Sequence, residues 1–193
     1  MTSFIRFASV LLMLVMVACS KPAPQFTNTD LTGLDYAKDF SLTDHNGKAR
    51  TLSDFKGKAV VIFFGYTQCP DVCPTTMAEM ATVMKQLGTL SDKVQVLFVT
   101  VDPERDTQDL LAAYVPNFDH RFLGMYGDAA ATAKVAKDFK VYYQKVPGKT
   151  LGSYTMDHTA GSYVFDPEGR IRLFLRHGQG AEPIVHDLKL LLQ

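Results

Sequence analysis

The sequence contains no tryptophan, no surplus of either charge and no block of like charge. The missing tryptophan matters only for choosing a spectroscopic probe. Twenty basic residues balance twenty acidic ones, so electrostatics gives no case for nucleic acid or an acidic substrate. There is no internal repeat. Cysteine is scarce, at positions 19, 69 and 73 only. What is present in quantity is apolar: 47% of 193 residues are hydrophobic, which suits one globular domain with a substantial core.

The N-terminus reads as a separate object. Arg6 is the only charge before Lys21, and Phe7 to Ala18 is an apolar run of signal-peptide length. It is short of the about 20 residues a membrane-spanning helix needs. Met16-Val17-Ala18-Cys19 resembles a bacterial lipobox, with Met where Leu is usual. Residues 1–18 are therefore expected to be removed and Cys19 lipidated; an ordinary signal peptide or an uncleaved anchor is the alternative. Residues 19–36, rich in Pro, Thr and Asn at their start, are expected to tether the anchor to a domain spanning 37–193. Cys69 and Cys73 then remain as a pair, in a compartment where disulfides form.

The domain itself begins with a hairpin turning at Asp44-His45-Asn46-Gly47. Lys58 to Gly65 and Lys93 to Val101 are continuously apolar and read as buried strands. Between them a helix runs from Pro74 to about Gly88, which places Cys73 at or beside its N-cap. Strand, helix and strand imply a right-handed crossover and a parallel pair. Helices follow over Thr107–Val115 and Ala129–Phe139, then a short strand over 141–146 and an irregular loop to about Asp157. A hairpin of Ser162–Asp166 with Arg170–Leu175 leads to a closing helix with Ile184, Leu188 and Leu191 on one face. The expected class is α/β: a thioredoxin-like fold, its central mixed sheet flanked by helices, with an N-terminal β-hairpin extension.

Cys69 and Cys73 admit three readings: a structural disulfide, thioredoxin-type redox chemistry, or a metal site. A disulfide closing so tight a loop constrains the unfolded chain little. The redox motif has two intervening residues, whereas Pro70-Asp71-Val72 makes three here. Two thiolates converging from a loop and a helix start suit a soft ion such as Cu(I). A third ligand has then to come from histidine. His45, His120, His177 and His186 read as solvent-facing or hydrogen-bonded residues. His158 differs because it precedes the strand expected beside the cysteine strand, so its segment faces the thiol loop. Asp71 lies between the cysteines and either tunes the site or solvates the loop. Asp102 ends the second strand and either orients a ligand or caps the turn before Pro103. Asp157 reads as a loop residue, and Met77, Met80 and Met84, at helical spacing, as core.

GYTQCPDVCPTTM, VTVDPERDT and DHTAGSYVFDPEGRI together resemble the Sco/SenC proteins, copper-binding assembly factors of cytochrome c oxidase. The resemblance covers about residues 37–193. It implies one copper ion, Cu(I) and also Cu(II), held by Cys69, Cys73 and His158 on a thioredoxin-like scaffold. It implies a metallochaperone rather than an enzyme. The implied partners are the copper-bearing subunit of the oxidase, other copper chaperones or thiol reductants, and the membrane through the lipid anchor. The implied location is the bacterial cell envelope, facing the periplasm or exterior. The rival reading keeps the same sulfurs as a redox pair that reduces the oxidase's copper-site cysteines. Against general thiol exchange, His158-Thr159 stands where thioredoxins carry a cis-proline.

Overall fold

The computed structural model describes residues 24–193; the expected signal segment and Cys19 lie outside the described residues. Ten strands run in chain order: β1 (Thr29–Asp30), β2 (Leu42–Asp44), β3 (Ala49–Arg50), β4 (Ala59–Gly65), β5 (Val94–Thr100), β6 (Leu123–Tyr126), β7 (Tyr143–Pro147), β8 (Tyr154–His158), β9 (Ser162–Phe165) and β10 (Ile171–Leu175). Four α-helices accompany them among the described residues: α1 (Val72–Leu87), α2 (Gln108–Tyr114), α3 (Ala129–Asp138) and α4 (Ala181–Leu191).

Eight strands form one mixed sheet in the order β1-β10-β9-β4-β5-β6-β2-β3. β4, β5 and β6 are parallel, while β9 returns antiparallel beside β4. Every residue of β4 and β5 is buried, as expected of strands apolar on both faces. The strand period of two sends successive side chains to opposite faces. Phe63 packs against Phe98, whereas Phe64 packs against Phe139 and Tyr163. Met77, Met80 and Met84 of α1 are buried in the core, where their spacing put them.

The N-terminal hairpin forms as read, and the reason is local. The Asp44 carboxylate accepts N–H groups from Asn46 and Lys48, and Gly47 supplies the positive φ of 79° that the turn requires. Three regions differ from expectation. Leu123–Tyr126 forms an unanticipated strand; it is too short and too interrupted by Gly124 to show a period. The stretch 143–158, read as one short strand and an irregular loop, is a separate two-stranded ribbon of β7 and β8. From Thr29 on, part of the segment read as a tether lies along the sheet edge, paired with β10. Such edge pairing is made by backbone groups, which leave no mark in the side-chain pattern.

Candidate metal centre

The site is assembled at the C-terminal end of β4. Gly65 closes that strand, and the chain must pass there with no side chain. A Cβ at this position would lie 2.9 Å from Cys73 Sγ and 2.8 Å from Phe63 Cε1. The chain then turns, with Cys69 N–H donating to the Tyr66 carbonyl at 3.3 Å. Asp71 is the N-cap of α1, so Cys73 occupies the second helical position and Pro74 the third. The helix thus begins two residues before the expected start. A proline at the third position is tolerated because that N–H has no intrahelical acceptor either.

The two thiols differ. Cys69 is half-buried and Cys73 fully buried, and both are free. Burial acts to raise the Cys69 pKa, but N–H groups of Asp71, Cys73 and Val72 around its sulfur outweigh this and hold it below an ordinary thiol. Burial pushes the Cys73 thiol up, well beyond the usual range.

His158 ends β8, a few residues before β9, whose Ser162 is in register with Phe63 of the cysteine strand. Its Nδ1 lies 3.0 Å from the Thr159 carbonyl. A carbonyl only accepts, so Nδ1 carries the proton and Nε2 presents its lone pair. That Nε2 lies 3.5 Å from Cys73 Sγ. The ring stands edge-on to Phe63 and Tyr66, at centroid distances of 6.0 and 5.9 Å. Burial holds its pKa below 6.5, which keeps the imidazole neutral at pH 7.

The ligating atoms of Cys69, Cys73 and His158 all lie within 4.8 Å of one another. With metal–sulfur and metal–nitrogen bonds of about 2.3 and 2.0 Å, as for zinc, trigonal donors stand roughly 3.7–4.0 Å apart. The group therefore closes on one ion with sub-ångström adjustment. Two soft sulfurs and an imidazole suit copper in particular.

The other residues singled out from the sequence separate clearly. Asp71 is exposed, and its backbone rather than its side chain serves the loop. Asp102 is buried; its carboxylate accepts from Arg105 Nε and, at 2.8 Å, from the Tyr154 hydroxyl, so it reaches the histidine ribbon rather than a ligand. Asp157 is exposed. His45, expected in a turn, is buried and accepts the Gly124 N–H at 2.9 Å. His177 meets Thr76 on α1, His186 contacts Asp187, and His120 is exposed.

Asp106 went unnoticed in the sequence. Buried, it accepts from the Thr67 N–H at 3.0 Å and from the hydroxyls of Thr67 and Thr100, both at 2.6 Å. It thereby pins the loop leading to Cys69 to the end of β5. Only its place in VTVDPERDT, four residues after Asp102, marked it.

The SCO1/SenC family model matches residues 28–193. Among curated proteins, the bovine (Bos taurus) mitochondrial protein SCO2 homolog is 39% identical over 153 residues, covering 78% of this chain and 58% of its own length. The match therefore spans less than two thirds of that relative. Among solved structures, Bradyrhizobium japonicum ScoI with copper bound superposes with a TM-score of 0.74 at 47% identity, covering 80% of this chain and 98% of that one. An SCO1/SenC family lipoprotein from Bacillus anthracis gives 0.69 at 27% identity, covering 91% and 100%.

Proposed function

This chain belongs to the SCO1/SenC family, and from that premise we propose that it is a copper carrier whose cargo is held by Cys69, Cys73 and His158. The convergence of those three donor atoms within 4.8 Å is the observation that carries the reading. The copper-bound ScoI structure, at 47% identity, supports the choice of metal. Loading removes the proton of each thiol, and Cys73, whose pKa burial raises, gives up its proton only to a strongly bound ion. Cys69, the more accessible sulfur, is the natural point of exchange. From that side a partner thiolate would bind the ion as its bond to Cys69 breaks, after which Cys73 and His158 would let go in turn and the freed thiolates take up protons. By the resemblance in its motifs, the chain serves the binuclear copper centre of a cytochrome c oxidase, meeting its copper-bearing subunit.

Anaerobic Cu(I) titration of the reduced domain against a competing chelator tests this. One tight ion per chain is expected, weakened in His158→Ala by more than the 10–100-fold typical of losing an outer partner of a ligand. Weak binding in wild type and variant alike overturns it.

The thiol pair also supports a second reading, reduction of the oxidase's copper-site cysteines. Its support is the asymmetry of a half-exposed thiol of lowered pKa beside a buried one. Rapid disulfide exchange that His158→Ala leaves intact would favour it over copper carriage.

By the same reading the chain works in a bacterial cell envelope, held by a lipid on Cys19. Support comes from the lipobox-like Met16-Val17-Ala18-Cys19 and from the lipoprotein relative of Bacillus anthracis. No helix among the described residues is long and apolar enough to cross a membrane. Cys19→Ser should move the protein from the membrane fraction to the soluble one without altering copper affinity; equal partitioning of both forms would sink the anchor.

A further inference from the structure

The two halves of the metal centre hang from different parts of the fold. Cys69 and Cys73 belong to the loop and helix that follow β4, inside the main sheet. His158 belongs to the β7–β8 ribbon, which shares no strand pairing with that sheet. The short link from His158 to β9 brings the imidazole to the thiol end of the sheet, and side chains settle how firmly the ribbon is held there.

A side chain that belongs to neither half touches both. Arg105 lies in the turn after β5. Its Nε donates to the buried Asp102 carboxylate, and its Nη1 donates to the Tyr154 carbonyl of β8 at 3.0 Å and to Gln68 Oε1 of the cysteine loop at 3.1 Å. The guanidinium lies 3.6 Å from the Tyr154 ring centroid and 5.6 Å from that of Tyr66. Tyr66 in turn stands edge-on to His158. Asp102 completes the joint by accepting the Tyr154 hydroxyl at 2.8 Å. The same turn holds the ribbon again through Glu104, paired with Lys145, whose ammonium lies 4.6 Å over the Tyr154 ring.

We infer that Arg105 is a positioning residue for the metal centre: it locks the histidine-bearing ribbon onto the cysteine loop, so that the docked ribbon supplies the imidazole and the undocked ribbon withdraws it. The physical reason lies in its shape. A planar guanidinium can stack on one tyrosine while its fork satisfies a carboxylate, a carbonyl and an amide at once; a lysine cannot. Without that clamp the ribbon keeps Met156 in the core and its flanking bonds between Tyr142 and Thr159. It loses the Arg105 contacts at the Tyr154 end, and the strand that ends in His158 is held more loosely by what remains, the Glu104–Lys145 pair, the Asp102–Tyr154 bond and the Tyr66 ring. Arg105 touches no ligating atom, and Asp102 acts only through it and through Tyr154.

The inference rests on the copper reading for one of its two readouts only. The first is amide hydrogen exchange of the reduced, metal-free protein, wild type against Arg105→Gln. Protection over 143–158 is expected to fall at least about tenfold while that of β4 and α1 holds. The second is the Cu(II) electron paramagnetic resonance spectrum, in which Arg105→Gln should weaken the nitrogen coupling of His158 and Arg105→Lys should not restore it. Failure of wild-type protein to bind copper would remove the copper reading and leave the exchange result standing. Unchanged protection of the ribbon in folded Arg105→Gln would overturn the inference. So would a loss spread equally over β4 and β5, which would make Arg105 merely structural. Should Arg105→Gln fail to fold, with Asp102 left as a buried unpaired charge, Tyr154→Phe carries the same two outcomes with a smaller change.

Discussion

Within the metal centre, two cysteines of one short motif have opposite environments. Cys69 is half-exposed and ringed by backbone N–H groups, whereas Cys73 is fully buried, with His158 Nε2 3.5 Å from its sulfur. In the reduced, metal-free protein at pH 7, iodoacetamide is therefore expected to alkylate Cys69 at least about tenfold faster than Cys73. Mass spectrometry of timed digests checks this, and equal rates would contradict the asymmetry. His158 sets a pH limit of the other kind. Its folded pKa is depressed by burial below 6.5, so the folded state favours the neutral ring. The stability this contributes is complete above the unfolded value of 6.5 and is lost as pH falls through the folded one. Denaturant melts of the metal-free protein should show a loss below pH 6.5 that His158→Gln lacks.

Each element that shapes the centre does so through a position where a side chain would not fit or would not hold. β4 must end in glycine because its last residue lies against Cys73, Phe63 and Phe98. Gly65→Ala brings a methyl within 3.0 Å of all three and should cost about 1–3 kcal/mol, the usual penalty of overpacking. Urea denaturation measures that cost, and a parallel copper titration should show weakened binding, since Cys73 is the atom displaced. A second glycine works at the other wall. A Cβ on Gly161 would lie 2.0 Å from the Phe174 ring, so the chain between His158 and β9 passes that ring closely where it carries no side chain. Helix α1 contributes its first turn. With Asp71 as N-cap, its opening N–H groups converge on the Cys69 sulfur, which a start at Pro74 would not have allowed.

Across the whole molecule, the N-terminal and C-terminal segments are stitched together at Asp187. This residue of α4 is completely buried, and its carboxylate accepts the N–H groups of Thr27 at 2.9 Å and Asn28 at 2.8 Å, and Asn28 Nδ2 at 2.8 Å. Burial acts to raise its pKa, but these donors and His186 outweigh it and hold the carboxyl below the ordinary range. Asp187→Ala would orphan the donors and should cost about 2–3 kcal/mol by thermal or chemical denaturation. It should also free residues 27–31 from the sheet edge, read as lost protection of those amides. The direction of chain entry follows from the strand order. β1 runs antiparallel to β10, which through β9 is parallel to β4, so the N-terminal segment reaches the sheet at the same end as the metal centre. By itself the sequence determined the class of fold, the central strands, the four helices of the described residues and the three residues, Cys69, Cys73 and His158, whose donor atoms converge. Continuous apolar runs, helical spacing and a motif that places two sulfurs at a helix start are all carried by side-chain identity. It also led to His158 by topology, since the segment before a strand paired with β4 must face the thiol loop. Only the tertiary structure decided the β7–β8 ribbon, the edge strand at Thr29, the buried role of Asp106 and the joint at Arg105. Each of these is made by backbone pairing or by polar groups meeting from distant segments, and neither leaves a period in the sequence.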